Sequence, residues 1–371
     1  MADPNTSPPI TSPGSRPVTI YDVARQAGVA PSTVSRAFSR PGRVNAATAE
    51  RIRRVARDLG YRTNPLARAL STARTRMIAI VVPDIGNPFF TQIVRGAQTA
   101  AGEAGYTVVL ADAQESDRLE RAALDRTVPA VDGVVLAGSR MSDSAIRMIS
   151  KQKPVVVLNR AVVDVPCLVT DNARGARDAV AHLGGLGHQQ IIYVAGPAAS
   201  WADGMRWQSL REAAAEHDLQ VRRIGPFSPD VPGGLQAAGQ LRAQPASAVI
   251  AYNDQLAIGL IRGLTAGGLH VPRQVSVVGF DNIVAAELVT PGLTTVAAPL
   301  HTQGATATRH LLAMIEGRRG RTGEPAVLPV RLVVRGSTAQ RSRKRISPAS
   351  GTTSVSGSAW HAPMSTSAGS R

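Results

Sequence analysis

The chain predicts an α/β protein in two unlike parts: a small basic three-helix head, then two doubly wound parallel-sheet lobes. Three observations carry this. Positive charge gathers near the start, where residues 17–74 hold eleven arginines against Asp22, Glu50 and Asp58. From Met77 onward, short Val/Ile-rich runs alternate with helical segments. That alternation marks buried parallel strands joined by right-handed crossover helices. The length, 371 residues, allows two or three domains at roughly 100–200 residues each.

Composition excludes several classes. Apolar residues make up 43% of the chain, enough for packed cores, and aromatics only 4%. The cores are therefore built from Ala, Val, Leu and Ile. One cysteine, Cys167, rules out an intrachain disulfide framework and a Cys-rich zinc site. The seven histidines lack ligand spacing, so neither metal nor cofactor is expected. No uncharged apolar run approaches the roughly 20 residues that span a bilayer. Residues 1–16 lack the basic start and apolar stretch of a signal peptide, so a cytosolic (cytoplasmic) location is expected. Residues 75–336 hold twenty-five basic and twenty-two acidic residues, and 337–371 hold five basic and no acidic ones. A basic head thus precedes a nearly neutral body and a basic tail.

The head is read from its caps. Thr19 precedes Asp22 by three places, a capping-box start. Ile20, Val23, Ala24 and Ala27 then recur at helical spacing. Gly28 stops this helix as a left-handed cap, and Pro31 suits the first turn of the next. Val34 and Phe38 share a face of that second helix. Asn45 caps a third helix of about 14 residues that ends near Gly60, with Ile52, Val55, Ala56 and Leu59 inward. A glycine turn between the first two helices marks a helix-turn-helix. The second helix is then the recognition helix, with Pro31, Ser32 and Thr33 at its start and Arg36 one turn on. Arg36 can fork onto guanine O6 and N7. The hydroxyls of Thr19, Tyr21, Ser35 and Thr48 suit phosphates. A compact basic head points to nucleic acid, although solubility charge or a small protein-binding module shares its composition.

The run Thr19-Ile-Tyr-Asp-Val-Ala-Arg-Gln-Ala-Gly-Val-Ala-Pro-Ser-Thr-Val-Ser-Arg36 resembles the start of the lactose/galactose repressor family of transcription regulators. Arg43-Val44-Asn45, Gly60-Tyr61 and Asn64-Pro-Leu-Ala-Arg-Ala-Leu70 continue the match in register, and it extends to about residue 336. The resemblance adds Arg43, Asn45 and Asn64 to the DNA-contacting set. It implies that residues 64–74 fold on DNA as a hinge helix paired with a dimer mate in the minor groove. Leu70 then wedges into the central base step and kinks it; a plain linker with Leu70 packed on the body is the alternative. Ala30 stands where the family usually has serine, a lost cap worth about 0.5–2 kcal/mol.

In the body, strands are expected at 77–82, 107–111, 133–137 and 154–158 in the first lobe. The second lobe offers 190–195, 222–224, 247–251 and 275–279. Helices are expected at 88–103, 172–186, 204–217 and 254–266. Segments 295–296 and 300–317 are expected to cross back to the first lobe. The resemblance makes this the fold of periplasmic sugar-binding proteins. The 184–187 glycine cluster follows a helix rather than opening one, so it is a helix stop and not a phosphate loop. Ser139 and Ser200 lack a nucleophile elbow. His188 reads as structural.

Open α/β sheets bind ligands beyond the carboxyl ends of their strands. Strand by strand, that rule collects Phe89, Phe90, Asn159, Arg206, Phe227, Asn253 and Asp281. Asp281, Asn253 and Arg206 offer acceptors and donors for vicinal hydroxyls, and the resemblance places effector on these three. The phenylalanines offer flat faces to a sugar or a purine. Two plainer readings stay open: Asp254 and Asp281 as caps of the helices that follow, and Phe89 as a core residue. Asn159 stands where the family often has an acid, and Ser209 where it often has glycine.

The expected organisation is a disordered extension at 1–16, a DNA-binding head at 17–63 and a hinge at 64–74. A two-lobed effector-binding and dimerising body follows at 75–336, then a disordered tail at 337–371. The expected function is a homodimeric regulator, a repressor, on a pseudo-palindromic operator. Its effector is a sugar or derivative first and a purine second. The rivals are a cytosolic α/β enzyme with a DNA-localising head, and an architectural DNA-binding protein with no effector.

Overall fold

A computed structural model describes residues 16, 18–39, 42–61, 74–244, 246–318 and 323–341. Asn64, Leu70 and the rest of the hinge up to residue 73 lie outside the described residues, as do 1–15 and 342–371.

Local capping builds the head. Helix α1 (Ile20–Ala27) starts at Thr19, whose backbone N–H donates to the Asp22 carboxylate at 2.9 Å and whose hydroxyl donates at 2.6 Å. Gly28 ends α1 at φ 63°, the left-handed region that glycine enters freely. Helix α2 (Pro31–Ser39) and helix α3 (Ala46–Asp58) follow. The Asn45 side chain caps α3 by accepting from the Ala47 N–H at 3.0 Å. Val23, Ala27, Val34, Ala37, Ile52 and Ala56 form one small core. Phe38, Val55 and Leu59 pack against it.

The body consists of two six-stranded sheets. The first runs β11-β5-β4-β3-β1-β2, from β1 (Met77–Val82), β2 (Thr107–Asp112), β3 (Gly133–Ala137), β4 (Val155–Leu158), β5 (Cys167–Thr170) and β11 (Ala326–Leu328). The second runs β12-β10-β9-β8-β6-β7. Its strands are β6 (Gln190–Val194), β7 (Gln220–Ile224), β8 (Ala248–Ala251), β9 (Ser276–Asp281), β10 (Thr294–Ala297) and β12 (Arg331–Val333). All pairings are parallel except β10 with β12. Strands β1, β3, β4 and β8 are buried almost throughout, which explains their unbroken Val/Ile/Ala composition.

The chain passes between lobes three times: after β5, after β10, and between β11 and β12. This corrects one expectation. Thr295 and Val296 belong to the second sheet, and the return begins only at Ala298. Helix Leu300–Ile315 then packs on the first sheet, with Leu300, Ala307, Leu311 and Leu312 in that lobe's core.

The body also ends later than 336. The Ser337 carbonyl accepts from the Val277 N–H at 2.8 Å, and its buried hydroxyl donates to the Val277 carbonyl at 2.6 Å. Ala339 N–H donates to Ser276 Oγ at 3.1 Å, and Arg341 N–H to the Leu186 carbonyl at 2.9 Å. His188 sits under this strap, within 2.9 Å of Ser247 Oγ and 3.0 Å of Ser276 Oγ. Backbone pairing, invisible in composition, therefore moves the boundary to at least 341.

Helix Pro88–Glu103 and helix Leu300–Ile315 touch backbone to backbone. A Cβ on Gly96 would lie 1.9 Å from the His301 carbonyl oxygen, and one on Gly304 would lie 1.9 Å from that of Ile93. Only glycine permits this spacing. Gly96→Ala is expected to cost about 1–3 kcal/mol through overpacking, read as a lower urea midpoint with an unchanged slope. A midpoint equal to that of the unaltered chain would mean the helices separate freely.

Candidate functional site

The head presents its polar groups outward. In α2, Val34 and Ala37 are buried while Ser32, Ser35 and Arg36 are exposed. Pro31 and Thr33 are half-buried in its first turn. The Ala30 carbonyl accepts from Thr33 N–H at 2.8 Å, but alanine supplies no side-chain cap. Tyr21 is 65% exposed on α1. Arg43 and Asn45 are exposed, and Thr19 and Thr48 half-buried. Arg36 is exposed on α2 and is in no ion pair among the described residues. Arg36→Ala is expected to remove roughly 1–3 kcal/mol of discrimination at one base pair per half-site. Equal weakening on specific and random DNA, measured by anisotropy, would reduce Arg36 to phosphate neutralisation.

The second cluster lies between the lobes, at the carboxyl ends of the strands. It encloses about 490 Å³ of space open to solvent, lined among others by Phe89, Phe90, Asn159, Arg206, Asn253 and Asp281. Six of the seven residues expected there are thus brought together. Phe227 is not: its ring packs on the second lobe's core and against Gly225, and Pro229 lines the cleft instead.

The first lobe contributes aromatic faces and donors. Asn87 caps helix Pro88–Glu103 by accepting from Phe89 N–H at 3.0 Å. Phe89 and Phe90 stand edge to face with centroids 4.9 Å apart. Asn159 follows β4 at φ 57°. Its Oδ1 accepts from Gln303 Nε2 at 2.9 Å, while its buried Nδ2 has no partner among the described residues. Arg140, just past β3, forks onto Glu115 through Nε at 2.6 Å and Nη2 at 3.0 Å.

The second lobe supplies a charged floor. Arg206 Nε donates to Asn172 Oδ1 at 3.0 Å, and its Nη1 donates to the Tyr252 carbonyl. Its Nη2 lies 3.7 Å from Asp281 Oδ1, and its guanidinium sits 4.3 Å over the Phe280 ring. Asn253 caps helix Asp254–Ala266 through Leu256 N–H at 2.9 Å and donates to the Pro229 carbonyl at 2.8 Å. Asp254 lies beneath and accepts from Ile283 N–H at 2.9 Å and Thr295 Oγ1 at 2.5 Å. The cap is therefore Asn253, not Asp254. Asp281 caps no helix either; it ends β9 at φ 110°. Such a conformation is costly for a side-chain-bearing residue. Tyr252 spans the gap: its hydroxyl pairs with Ser200 Oγ at 2.9 Å and faces Arg140 of the other lobe.

Sequence reasoning passed over Glu115, Arg140, Thr170 and Ser200, all of which line the cleft. The strand-end rule applied to β2 and β3 finds Glu115 and Arg140. Thr170 ends β5, a four-residue strand with no periodicity to read.

Burial, partly offset by Arg206, pushes the Asp281 carboxyl up to about 7. Burial and the Asp281 charge push Asp254 well up too. An unfolded aspartate titrates near about 3.9. Between those values the folded chain keeps a proton that the unfolded chain has lost, so stability falls as pH rises through this window. Melting is expected to drop between about pH 5 and pH 7, and Asp281→Asn is expected to flatten the drop. An identical drop in both chains would assign it to other groups.

Comparison with known proteins matches this geometry. Residues 19–64 match the family described as bacterial regulatory proteins, lacI family, and residues 180–338 match the periplasmic binding protein-like domain. The HTH-type transcriptional repressor CytR of Escherichia coli (strain K12) is 34% identical over 330 residues, covering 86% of this chain and 96% of that protein. The lac repressor dimer bound to operator and the anti-inducer ONPF superposes with a TM-score of 0.79 at 27% identity, covering 87% of this chain and all of that one. A LacI family regulator from Enterococcus faecium with bound ribose gives 0.65 at 31% identity, covering 72% of this chain and all of that one.

A helix-turn-helix head followed by a two-lobed binding body defines a bacterial transcription regulator. The chain belongs to the lacI family, and it acts as an effector-regulated, DNA-binding repressor rather than as an enzyme.

Proposed function

We propose that this regulator binds a pseudo-palindromic operator as a homodimer in the cytoplasm, and that a sugar or sugar derivative held between its lobes controls it. Pro31, Ser32, Thr33 and Arg36 read bases. Thr19, Tyr21, Ser35, Arg43, Asn45 and Thr48 hold the backbone. Asn64 and Leu70, in the hinge, enter the minor groove. The lac repressor dimer on operator supports this arrangement. Among the described residues no helix is long and apolar enough to cross a membrane.

The observation that carries the effector reading is the pairing of chemistries across one gap. Phe89 and Phe90 offer apolar faces on one lobe, and Asp281 with Arg206 offers a buried acceptor and donor on the other. A pyranose or furanose has that duality, with C–H faces and a rim of hydroxyls. The ribose-bound relative supports the class. Contact with both lobes favours one closure angle through differential affinity for two states. Purines, which also stack on phenylalanine, are the second reading.

Calorimetry with pentoses, hexoses, cellobiose and purine nucleosides tests the class, and heat only with nucleosides would select the second reading. Coupling between effector and operator is expected at about 1–3 kcal/mol. Asp281→Ala is expected to abolish the response and leave effector-free operator affinity within a few-fold. A full response in that variant would remove Asp281 from the ligand site.

A further inference from the structure

Three elements of the first lobe run from the cleft to the point where the head's chain enters the body. Helix Pro88–Glu103 begins at the cleft with Phe89 and Phe90. Just past its other end, the Ala104 carbonyl accepts from Arg76 Nη1 at 3.3 Å. Helix Leu300–Ile315 carries Gln303 in its first turn, bonded to Asn159 of the cleft at 2.9 Å. At its other end the Ile315 carbonyl accepts from Arg74 Nη2 at 3.1 Å. Strand β3 lies between Gly138 at the cleft and Asp132. The Asp132 carboxylate receives Thr75 N–H at 2.8 Å and Arg76 N–H at 3.0 Å.

The two helices are each 16 residues long, or about 24 Å at 1.5 Å per residue. Their contact at Gly96 and Gly304 leaves no room for a side chain between them, so the two backbones touch directly. Helix C-terminal carbonyls carry partial negative charge and lack intrahelical partners. Guanidinium donors are well suited to hold them. At the cleft end, Asn159 Nδ2 and Gln303 Oε1 lack partners among the described residues. Turning both amides over keeps their mutual bond and exchanges which atom of each is left unpaired, so the pair has spare hydrogen-bonding capacity in either arrangement.

We propose that Arg74 and Arg76 are the positioning residues through which the cleft sets the direction in which the chain leaves for the DNA-binding head. Each ties the exit to the far end of a helix that reaches the cleft at its near end, one by lining it with Phe89 and Phe90 and the other through the Gln303–Asn159 bond. The inference rests on reading the cleft as the regulatory site, since a relay needs a signal.

The test uses the full chain and a duplex that the unaltered protein selects from a random pool. Gln303→Met disturbs the cleft end without touching the exit. It is expected to change affinity for that duplex by about three-fold or more in the unaltered background. In a chain carrying Arg74→Gln and Arg76→Gln, the same change is expected to have under about 1.5-fold effect. Should Gln303→Met fail to melt cooperatively, Phe90→Leu replaces it and probes the other helix. Equal effects in both backgrounds, or no effect in either, overturn the proposal. So does a salt dependence that falls by about one counterion per arginine removed, which would make both arginines phosphate ligands. Because no effector is added, this outcome is independent of the sugar calorimetry. A protein that binds no sugar yet shows the non-additivity fails the effector reading alone.

Discussion

The cleft floor depends on burying one carboxylate. Asp254 is fully enclosed and accepts from the Ile283 N–H and the Thr295 hydroxyl. Those contacts hold together the loop after β9, the adjacent strand β10 and the first turn of helix Asp254–Ala266. Room for the carboxylate exists only because Gly279 has no side chain: a Cβ there would lie 2.2 Å from Asp254 Oδ1. With these ends fixed, Asp281 is held in its unfavourable backbone conformation and Arg206 is pinned on Phe280. An unpaired buried charge is expensive. The neighbouring arginine and the raised carboxyl pKa values are the two ways this site limits that cost.

The sequence made the head legible almost residue by residue, because its information is local. Thr19, Asp22, Gly28 and Asn45 each act within four positions, and capping needs nothing from the rest of the chain. Central strands were legible for a different reason: burial on both faces demands an unbroken apolar run. Strands β5, β11 and β12, with three or four residues each, exist because a neighbouring sheet edge is available. Nothing local announces them. The same blindness misplaced Thr295–Val296 and cut the body short at 336.

For the cleft, the strand-end rule found most of the lining because topology, not side-chain identity, decides what reaches a sheet's mouth. It failed for Phe227, whose ring turns back onto Gly225 and the second lobe's core. It was incomplete for Arg140, whose meaning lies in a partner, Glu115, from another strand end. Pairing of that kind is a tertiary fact. The basic head and nearly neutral body are consistent with this division of labour. Phosphate binding asks for long-range charge, whereas a ligand cleft asks for a few desolvated groups at fixed separations.

The three lobe crossings govern how the chain can be made. The first lobe is begun by residue 77 but receives helix Leu300–Ile315 and strand β11 only after the second lobe's central strands have been synthesised. The second lobe in turn waits for β12 and the strap at Ser337. Neither sheet is complete while its own N-terminal portion is emerging from the ribosome. The head, whose core contacts among the described residues all fall within residues 20–61, is free of that delay. A nascent chain therefore presents a finished DNA-reading module well before it possesses any means of regulating it.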